Sequence, residues 1–265
     1  MPTGLSLHVT RYDSGMRQAP HAHGELHLSI VLRGTVSESI AGRTGFLHPM
    51  SLVSKDPGVV HANAWGGQGA LLARLSIADR GLADLADGGR PVLPWRWAHD
   101  LAAAAPFLRL VGRARAADSP VAPGDVDVVD LVAALTPTAR VADQESGDPP
   151  AWLRDAVALM RDGWTPGLTV GAVARHAGVH PVYLARCMRR WYRTSVGVEL
   201  RRSRLRLAAR SLATIRETVS GVAHGAGFSD EPHLCRSLRA ATALTPGRLR
   251  LVLRHAESIA RPVGR

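Results

Sequence analysis

An internal repeat in the carboxyl-terminal half constrains the fold of this chain more than any other feature. Residues 173–179 read VARHAGV and residues 222–228 read VAHGAGF, an offset of 49 positions. A second pair of blocks follows, LARCMR at 184–189 and LCRSLR at 234–239, with an offset of 50. The extra position falls between the blocks. The repeat therefore predicts two copies of one unit, with one residue inserted in the turn.

Each copy has the composition of two short helices joined by a tight turn. Gly178 and Gly227 lie where the turn needs a left-handed backbone, which glycine tolerates. Proline suits the first position of a helix, and Asp or Ser suits an N-cap. The second helices should therefore begin near Pro181 and Asp230. This is the arrangement of a helix-turn-helix unit.

The second helix of each copy has one apolar face and one basic face. In the first copy Leu184, Cys187 and Met188 follow helical spacing, and in the second Leu234 and Leu238 do so. The opposite faces carry arginines, which suit guanine edges and phosphates in a major groove. The other groove-facing positions offer only apolar contact. The predicted DNA-contacting residues are Val182, Ala185, Arg186, Arg189, Pro232, Arg236 and Arg239.

The charge distribution favours DNA as the partner. Residues 150–265 contain 20 arginines and 7 acidic residues, whereas residues 1–149 contain 13 basic and 15 acidic residues. A basic surface attracts a polyanion because each neutralised phosphate releases counterions. Codon usage explains why Lys55 is the one lysine, but it does not explain why the charge excess lies in one half. A nonspecific basic binder is the alternative. It would bind any duplex with similar affinity.

Residues 199–214, between the copies, predict one long basic helix. Such a helix can hold two units a fixed distance apart. Successive major grooves on one side of DNA are ~34 Å apart. The sequence therefore predicts that both units contact the same side of one duplex.

Residues 151–254 resemble the DNA-binding domain of the AraC/XylS family. The matching pieces are LTVxxVA at 168–174, AGVHPxYLxR at 177–186, VAxxxGF at 222–228, HLxR at 233–236 and LTPxxLR at 244–250. The resemblance implies seven helices, contact with two adjacent major grooves, contact with RNA polymerase, and activation in preference to repression. The departures affect packing and caps: Met188, Leu234 and Leu238 replace aromatics, Thr194 and Ala243 replace glycines, and Leu249 replaces a tyrosine.

Residues 5–77 have the pattern of a β domain. Alternating or apolar runs are separated by glycine and proline turns, which predicts a sandwich or barrel. The runs lie at 26–32, 36–40, 46–53 and 70–77, and the turns at Gly34, Gly42, 56–58 and 66–67.

A histidine cluster is expected within this β domain. His21, His23 and His27 are spaced so that they would share one face of a strand, and His61 follows the turn at 56–58. The pattern resembles a cupin, with His27 in the position of the usual glutamate, then Gly34, and with GxxH at 58–61. Four imidazoles can bind a divalent transition metal such as zinc, nickel, copper or iron. The alternatives are a metal-free pocket for an organic effector and a set of histidines that binds no ligand.

Helical periodicity begins after residue 79. A first helical stretch ends at Pro106, and apolar faces follow at 107–114 and 128–135. Because these faces have little else to cover, we expect them to pair two subunits. The predicted fold is α+β and multidomain: a cupin-like barrel at 1–98, a helical dimerisation region at 99–135, a polar linker at 136–150, and an all-α domain with two helix-turn-helix motifs at 151–257.

We expect a cytoplasmic homodimer that binds double-stranded DNA and a small-molecule or metal effector, requires no cofactor, is not an enzyme, and has no membrane partner. No apolar stretch reaches the ~18 residues of a spanning helix, and the first residues lack the pattern of a signal peptide. Two cysteines imply no disulfide framework. The alternative function is a metal-dependent cupin enzyme fused to a DNA-binding domain.

Overall fold

The structure is a computed structural model that describes residues 4–79, 81, 95–122, 124–135, 149–162, 165, 167–192, 194–214 and 217–263. The predicted linker lies outside the described residues, except for Pro149 and Pro150. Within these ranges nine strands form one sheet. The strands are β1 (Leu5–Tyr12), β2 (Arg17–His21), β3 (Leu26–Ile40), β4 (Arg43–Leu47), β5 (Leu52–Lys55), β6 (His61–Ile77), β7 (Arg96–Ala98), β8 (Asp118–Pro120) and β9 (Arg261–Pro262).

Two long antiparallel strands, β3 and β6, organise the sheet. They pair along their length, with register shifts on both sides of Gly34. A Cβ at Gly34 would lie 2.0 Å from the carbonyl oxygen of Gly69, and both glycines have positive φ. Such bulges bend a strand without ending it. The predicted turns at Gly34 and at 66–67 are therefore wrong, because the chain continues through both as strand.

The two halves of the bent β3–β6 pair have different neighbours. The first half of β3 pairs with β5, and the second half of β6 pairs with β1. The remaining halves pair with β4 and β2. Among the described strands the ladder runs from β7 to β8 without closing, so the sheet is open. The closed cupin-like barrel of the sequence analysis is therefore not established.

Two turns predicted from composition are present. Ala41 and Gly42 join β3 to β4, with φ of 50° and 75°. A two-residue type I′ hairpin turn needs positive φ at both positions. Gly58 also has positive φ, and the Val59 amide donates to the carbonyl of Asp56 at 3.2 Å. This second turn leads directly into His61, the first residue of β6.

Nine helices lie within the described residues, and seven of them follow residue 149, as the AraC/XylS resemblance implies. None of the described helices is both long and apolar enough to cross a bilayer. The helices are α1 (Leu101–Arg113), α2 (Val126–Leu135), α3 (Ala151–Asp162), α4 (Val170–His176), α5 (Pro181–Tyr192), α6 (Val196–Thr214), α7 (Val219–Gly225), α8 (Glu231–Thr242) and α9 (Pro246–Ile259).

Helix α1 continues through Pro106, where the sequence predicted an end. Proline removes one helical hydrogen bond and strains the preceding turn, at a cost of ~3 kcal/mol. Burial outweighs that cost here, because Ala104, Phe107 and Leu108 are completely buried. Tertiary packing routinely overrides local propensity in this way.

The apolar face of α1 is covered within the chain. One hydrophobic core includes the sheet, α1 and α2 together with α7, α8 and α9, whereas a second core holds α3, α4 and α5. A Cβ at Gly112 would lie 3.1 Å from Val252 in α9, so the two helices approach closely there. The reason given for a dimer, that α1 has nothing else to cover, is therefore wrong. The homodimer itself stays a prediction.

Candidate nucleic-acid interface and effector cavity

The predicted histidine cluster is assembled from several elements. His21 ends β2, His27 lies in β3 and His61 begins β6, while His23 lies in the connection between β2 and β3. They do not share one strand as the spacing predicted. The ring centroids of His21 and His61 are 4.3 Å apart, and those of His23 and His27 are 4.1 Å apart. The fold therefore brings all four imidazoles together by folding the connection over the sheet.

The electrostatic environment keeps two of these imidazoles neutral. Burial lowers the pKa of His27 to about 2, with a further contribution from Arg74. Burial also lowers the pKa of His23 to about 4, and His21 adds to that effect. A neutral imidazole is the form that ligates a metal ion, and it also accepts a hydrogen bond from a ligand.

Three of the four histidines fit a metal ion. Candidate ligand atoms of His21, His23 and His61 all lie within 4.8 Å of one another, and His27 is outside this group. The Nδ1 atoms of His21 and His61 lie 2.9 Å and 3.1 Å from the backbone carbonyls of Ala19 and Val59. Such bonds fix the ring and leave Nε2 available as a ligand. Tetrahedral zinc would require ligand atoms ~3.4 Å apart, so a modest contraction is needed.

A small cavity adjoins the cluster. Its volume is about 60 Å³, and its lining includes the four histidines, Glu38, Lys55, Trp65 and Arg74. The Nζ of Lys55 donates to Glu38 at 2.7 Å, and the indole N–H of Trp97 donates to the same carboxylate at 2.8 Å. The Nε1 of Trp65 and the Nε of Arg74 are buried and have no hydrogen-bond partner within the described residues. The lining therefore offers donors for ligand oxygens as well as metal ligands.

The two carboxyl-terminal units have the same backbone hydrogen bonds at equivalent positions. In the first, the amides of Ala177 and Val179 donate to the carbonyls of Val173 and Ala174, both at 3.0 Å. In the second, the amides of residues 226 and 228 donate to the carbonyls of residues 222 and 223 at 3.0 and 2.9 Å. The turn glycines Gly178 and Gly227 have φ of 66° and 78°. The predicted left-handed turns are present in both copies.

The first helix of each unit also begins alike. Thr169 caps α4 by accepting from the amide of Ala172, and Thr218 caps α7 by accepting from that of Gly221. The two threonines are separated by the same offset of 49 residues as the repeat. These two caps were not among the predictions from the sequence, although the offset of the repeat relates the two threonines.

The second helices follow the predicted insertion. Helix α5 begins at Pro181 and α8 at Glu231, an offset of 50. The side chain of Asp230 caps α8 by accepting from the amide of His233 at 2.6 Å. Their inward faces are buried, with Leu184 and Leu234 both completely inaccessible to solvent.

Residues 173–251 match the helix-turn-helix domain family. The match covers both units and the helix between them. These residues form a helix-turn-helix domain. The match indicates a transcription regulator and not an enzyme, as the sequence predicted.

Solved structures also resemble the chain. The carboxyl-terminal domain of AraT, a response regulator from Geobacillus stearothermophilus, is 23% identical over 39% of this chain and 87% of its own, with a TM-score of 0.35. An AraC-type regulator from Chromobacterium violaceum is 25% identical over 37% of this chain and 88% of its own, with a TM-score of 0.35. Fatty acid-bound ToxT from Vibrio cholerae is 8% identical over 98% of this chain and 99% of its own, with a TM-score of 0.37. These TM-scores are too low to support a conclusion. No match was found among curated proteins.

The predicted DNA-contacting residues lie on the outward faces of the helix-turn-helix domain. Ala185 is half-buried. The others are exposed: Val182, Arg186 and Arg189 in α5, and Pro232, Arg236 and Arg239 in α8. None of these side chains is buried in the two cores, although Ala185 packs against the core of the first unit. They are therefore available to a duplex. Whether the two faces meet one side of a duplex stays a prediction.

The outward face of α5 includes a residue that the sequence analysis assigned only to the family motif. Tyr183 is 48% exposed beside Val182, and its ring stacks on that of Trp152 at a centroid distance of 5.7 Å. A large aromatic side chain exposed next to predicted groove contacts is available to DNA. The stacking also brings α5 into contact with α3.

Proposed function

We propose that this chain is a sequence-specific DNA-binding transcription regulator of the AraC/XylS type. The observation that supports the proposal is the duplicated helix-turn-helix unit, with equivalent turns, caps and outward arginines. Helix α6 has 19 residues, which span about 28 Å at a rise of ~1.5 Å per residue. That length is close to the ~34 Å between successive major grooves on one side of a duplex.

Selection of bound duplexes from a random pool tests this proposal. We expect one enriched motif with two half-sites about one helical turn apart, bound ~10³-fold more tightly than random duplex at matched salt. A pool that shows no enrichment after repeated rounds, despite salt-dependent binding, would instead identify a nonspecific basic binder.

We further propose that a ligand in the histidine-lined cavity controls this activity. A cavity of about 60 Å³ holds only a few water molecules, since one needs ~10–15 Å³. Pockets for drug-sized molecules are ~300 Å³ or more. The size therefore favours a divalent transition metal, alone or with a very small ligand, held by His21, His23 and His61. The metal would supply a positive charge, which the three histidines would hold in a fixed position.

Metal analysis of the purified protein tests the effector proposal. We expect about one equivalent of a transition metal in the unmodified protein and a loss of most of it in His61→Ala. His8→Ala is the matched control, because His8 bonds to Asp118 and lies outside the cavity. The same metal content in all three proteins contradicts a metal effector. So does the absence of bound metal from all three after metal has been added.

The mode of regulation completes the proposal. By resemblance to the AraC/XylS family, the regulator would activate transcription by contacting RNA polymerase and would act as a homodimer. Effector binding would shift the population among arrangements of the two domains. This shift would change which pairs of half-sites a dimer can span. Analytical ultracentrifugation and transcription from the selected operator, each with and without added zinc, test these steps separately.

A further inference from the structure

A second cleft lies between the sheet and the helix-turn-helix domain. Its volume is about 210 Å³, and it is separate from the histidine-lined cavity. One wall is formed by β7 and the start of α1, and the other by α3 and α6. Residues from both parts of the chain therefore face the same space, which we call the junction cleft.

The junction cleft has an excess of positive charge. Its charged lining consists of four arginines and two carboxylates: Arg96, Arg161, Arg202, Arg206, Asp100 and Glu199. Asp100 is engaged as the N-cap of α1. Glu199 is 2% exposed, and Arg161, Arg202 and Arg206 all contact it, at 3.2 to 3.8 Å. One carboxylate therefore serves three guanidinium groups, which leaves two positive charges in excess.

Arg206 provides an independent indication of a missing partner. It is 6% exposed, and its Nη atoms donate to the carbonyl of His99, to Glu199 and to Ser203. Its Nε is buried and has no hydrogen-bond partner within the described residues. Buried polar groups are normally satisfied, and an exception calls for an explanation. Guanidinium groups present donors in a geometry that fits carboxylate and phosphate oxygens.

We propose that the junction cleft binds a small multivalent oxyanion that carries phosphate or carboxylate groups. The cleft is smaller than the ~300 Å³ at which pockets for drug-sized ligands begin, so the occupant is about the size of pyrophosphate or a tricarboxylate. Half-exposed Arg161 and Arg202 admit the anion from solvent, and buried Arg206 anchors it. This site goes beyond the proposed function and does not depend on a sequence-specific operator.

The position of the cleft gives the anion a regulatory role. Trp97 lines the cleft and also donates to Glu38, a lining residue of the histidine-lined cavity. The carbonyl of His99 accepts from Arg206 of α6 across the cleft. An anion between these walls would bridge the sheet to the helix that joins the two helix-turn-helix units. Binding of the anion would therefore favour the arrangement in which Arg206 and the carbonyl of His99 stay hydrogen-bonded.

Calorimetric titration of the full-length protein with pyrophosphate and with citrate, at constant ionic strength, tests the proposal. We expect saturable binding to the unmodified protein. Arg202→Ala and Arg161→Ala should each weaken it about tenfold, since each removes a charged donor. Arg201→Ala is the matched control, because Arg201 is exposed on the same helix and does not line the cleft. Circular dichroism establishes that each variant is folded.

The alternative occupants give different results. Equal weakening in Arg201→Ala overturns the proposal and indicates general charge screening. The absence of saturable binding of either anion also overturns it. If neither anion binds, but Arg202→Ala and Arg161→Ala weaken binding of a random duplex and Arg201→Ala does not, the cleft contacts the DNA backbone. That result also overturns the proposal. Neither outcome bears on selection of an operator, which tests the proposed function separately.

Discussion

At the residue scale, Ala243 stands where the AraC/XylS resemblance places a glycine. It ends α8 with φ of 58°, and its amide donates to the carbonyl of Arg239 at 2.8 Å. The left-handed conformation costs a residue with a Cβ ~1–2 kcal/mol, which glycine avoids. Alanine in place of glycine therefore keeps the backbone conformation of the cap but lowers the stability of the protein.

Replacing this alanine tests the cost directly. Ala243→Gly should stabilise the protein by about 1 kcal/mol, because the relief of strain exceeds the extra flexibility of unfolded glycine. Urea unfolding measures the change. Ala240→Gly is the control: Ala240 lies within α8, is exposed, and should lose ~1 kcal/mol instead. Destabilisation by both variants contradicts the explanation.

Arg236 has the clearest role among the predicted groove contacts. It is exposed on the outward face of α8, one turn after the helix begins. Arg236→Ala should cost ~1–3 kcal/mol in binding to the selected operator and should relax preference at one base pair. Arg115→Ala removes the same charge from an exposed position in the amino-terminal half. Equal losses in the two variants would mean that Arg236 acts only through net charge.

At the element scale, a buried carboxylate joins α1 to α2. Asp127 is 1% exposed, and it accepts from Arg113 and, at 2.5 Å, from Arg109. The neighbouring Asp130 contacts Arg109 at 3.4 Å from an exposed position. The two carboxylates therefore differ in burial, in distance and in the number of arginines that they accept from.

That difference predicts unequal effects of the same substitution. Asp127→Asn should destabilise the protein by about 3 kcal/mol, because it removes the charge that two arginines approach. Asp130→Asn should change stability by less than about 0.5 kcal/mol, as expected for a solvated pair. Thermal and urea unfolding of the two variants provide the comparison. Similar small effects of the two substitutions would mean that the buried ion pairs of Asp127 add little to the stability of the protein.

At the scale of the whole molecule, the second helix-turn-helix unit shares its core with the sheet domain. Leu253 and Ala256 in α9 are completely buried in the core that contains Phe107 and Leu108 of α1. The terminal strand β9 also pairs with β1. The first unit has a core of its own. The two units, alike in sequence, are therefore held differently.

A fragment that contains residues 149–265 should reveal this asymmetry. Without α1, aliphatic side chains of α9 become exposed at about 2 kcal/mol each. Amides of α8 and α9 should therefore exchange roughly 30-fold faster or more than in the full chain. Amides of α4 and α5 should change little. Hydrogen exchange followed by mass spectrometry measures both regions. Unchanged protection throughout would mean that the second unit needs no support from α1.

The sequence by itself determined the repeated unit. Its turns, caps, insertion and buried faces all depend on contacts between residues close along the chain, for which glycine, proline and helical spacing are reliable signals. The same locality explains the correct turn at Gly42. It also explains the outward positions of Arg186 and Arg236, because a helix with one buried face presents the other.

The tertiary structure alone decided how the parts are joined. The continuation of α1 through Pro106, the bulges at Gly34 and Gly69, and the convergence of His21 and His23 with His61 depend on residues distant in sequence. The junction cleft depends on distant residues in the same way. Local spacing carries no information on such contacts, because burial against another element can outweigh the local preference of a segment.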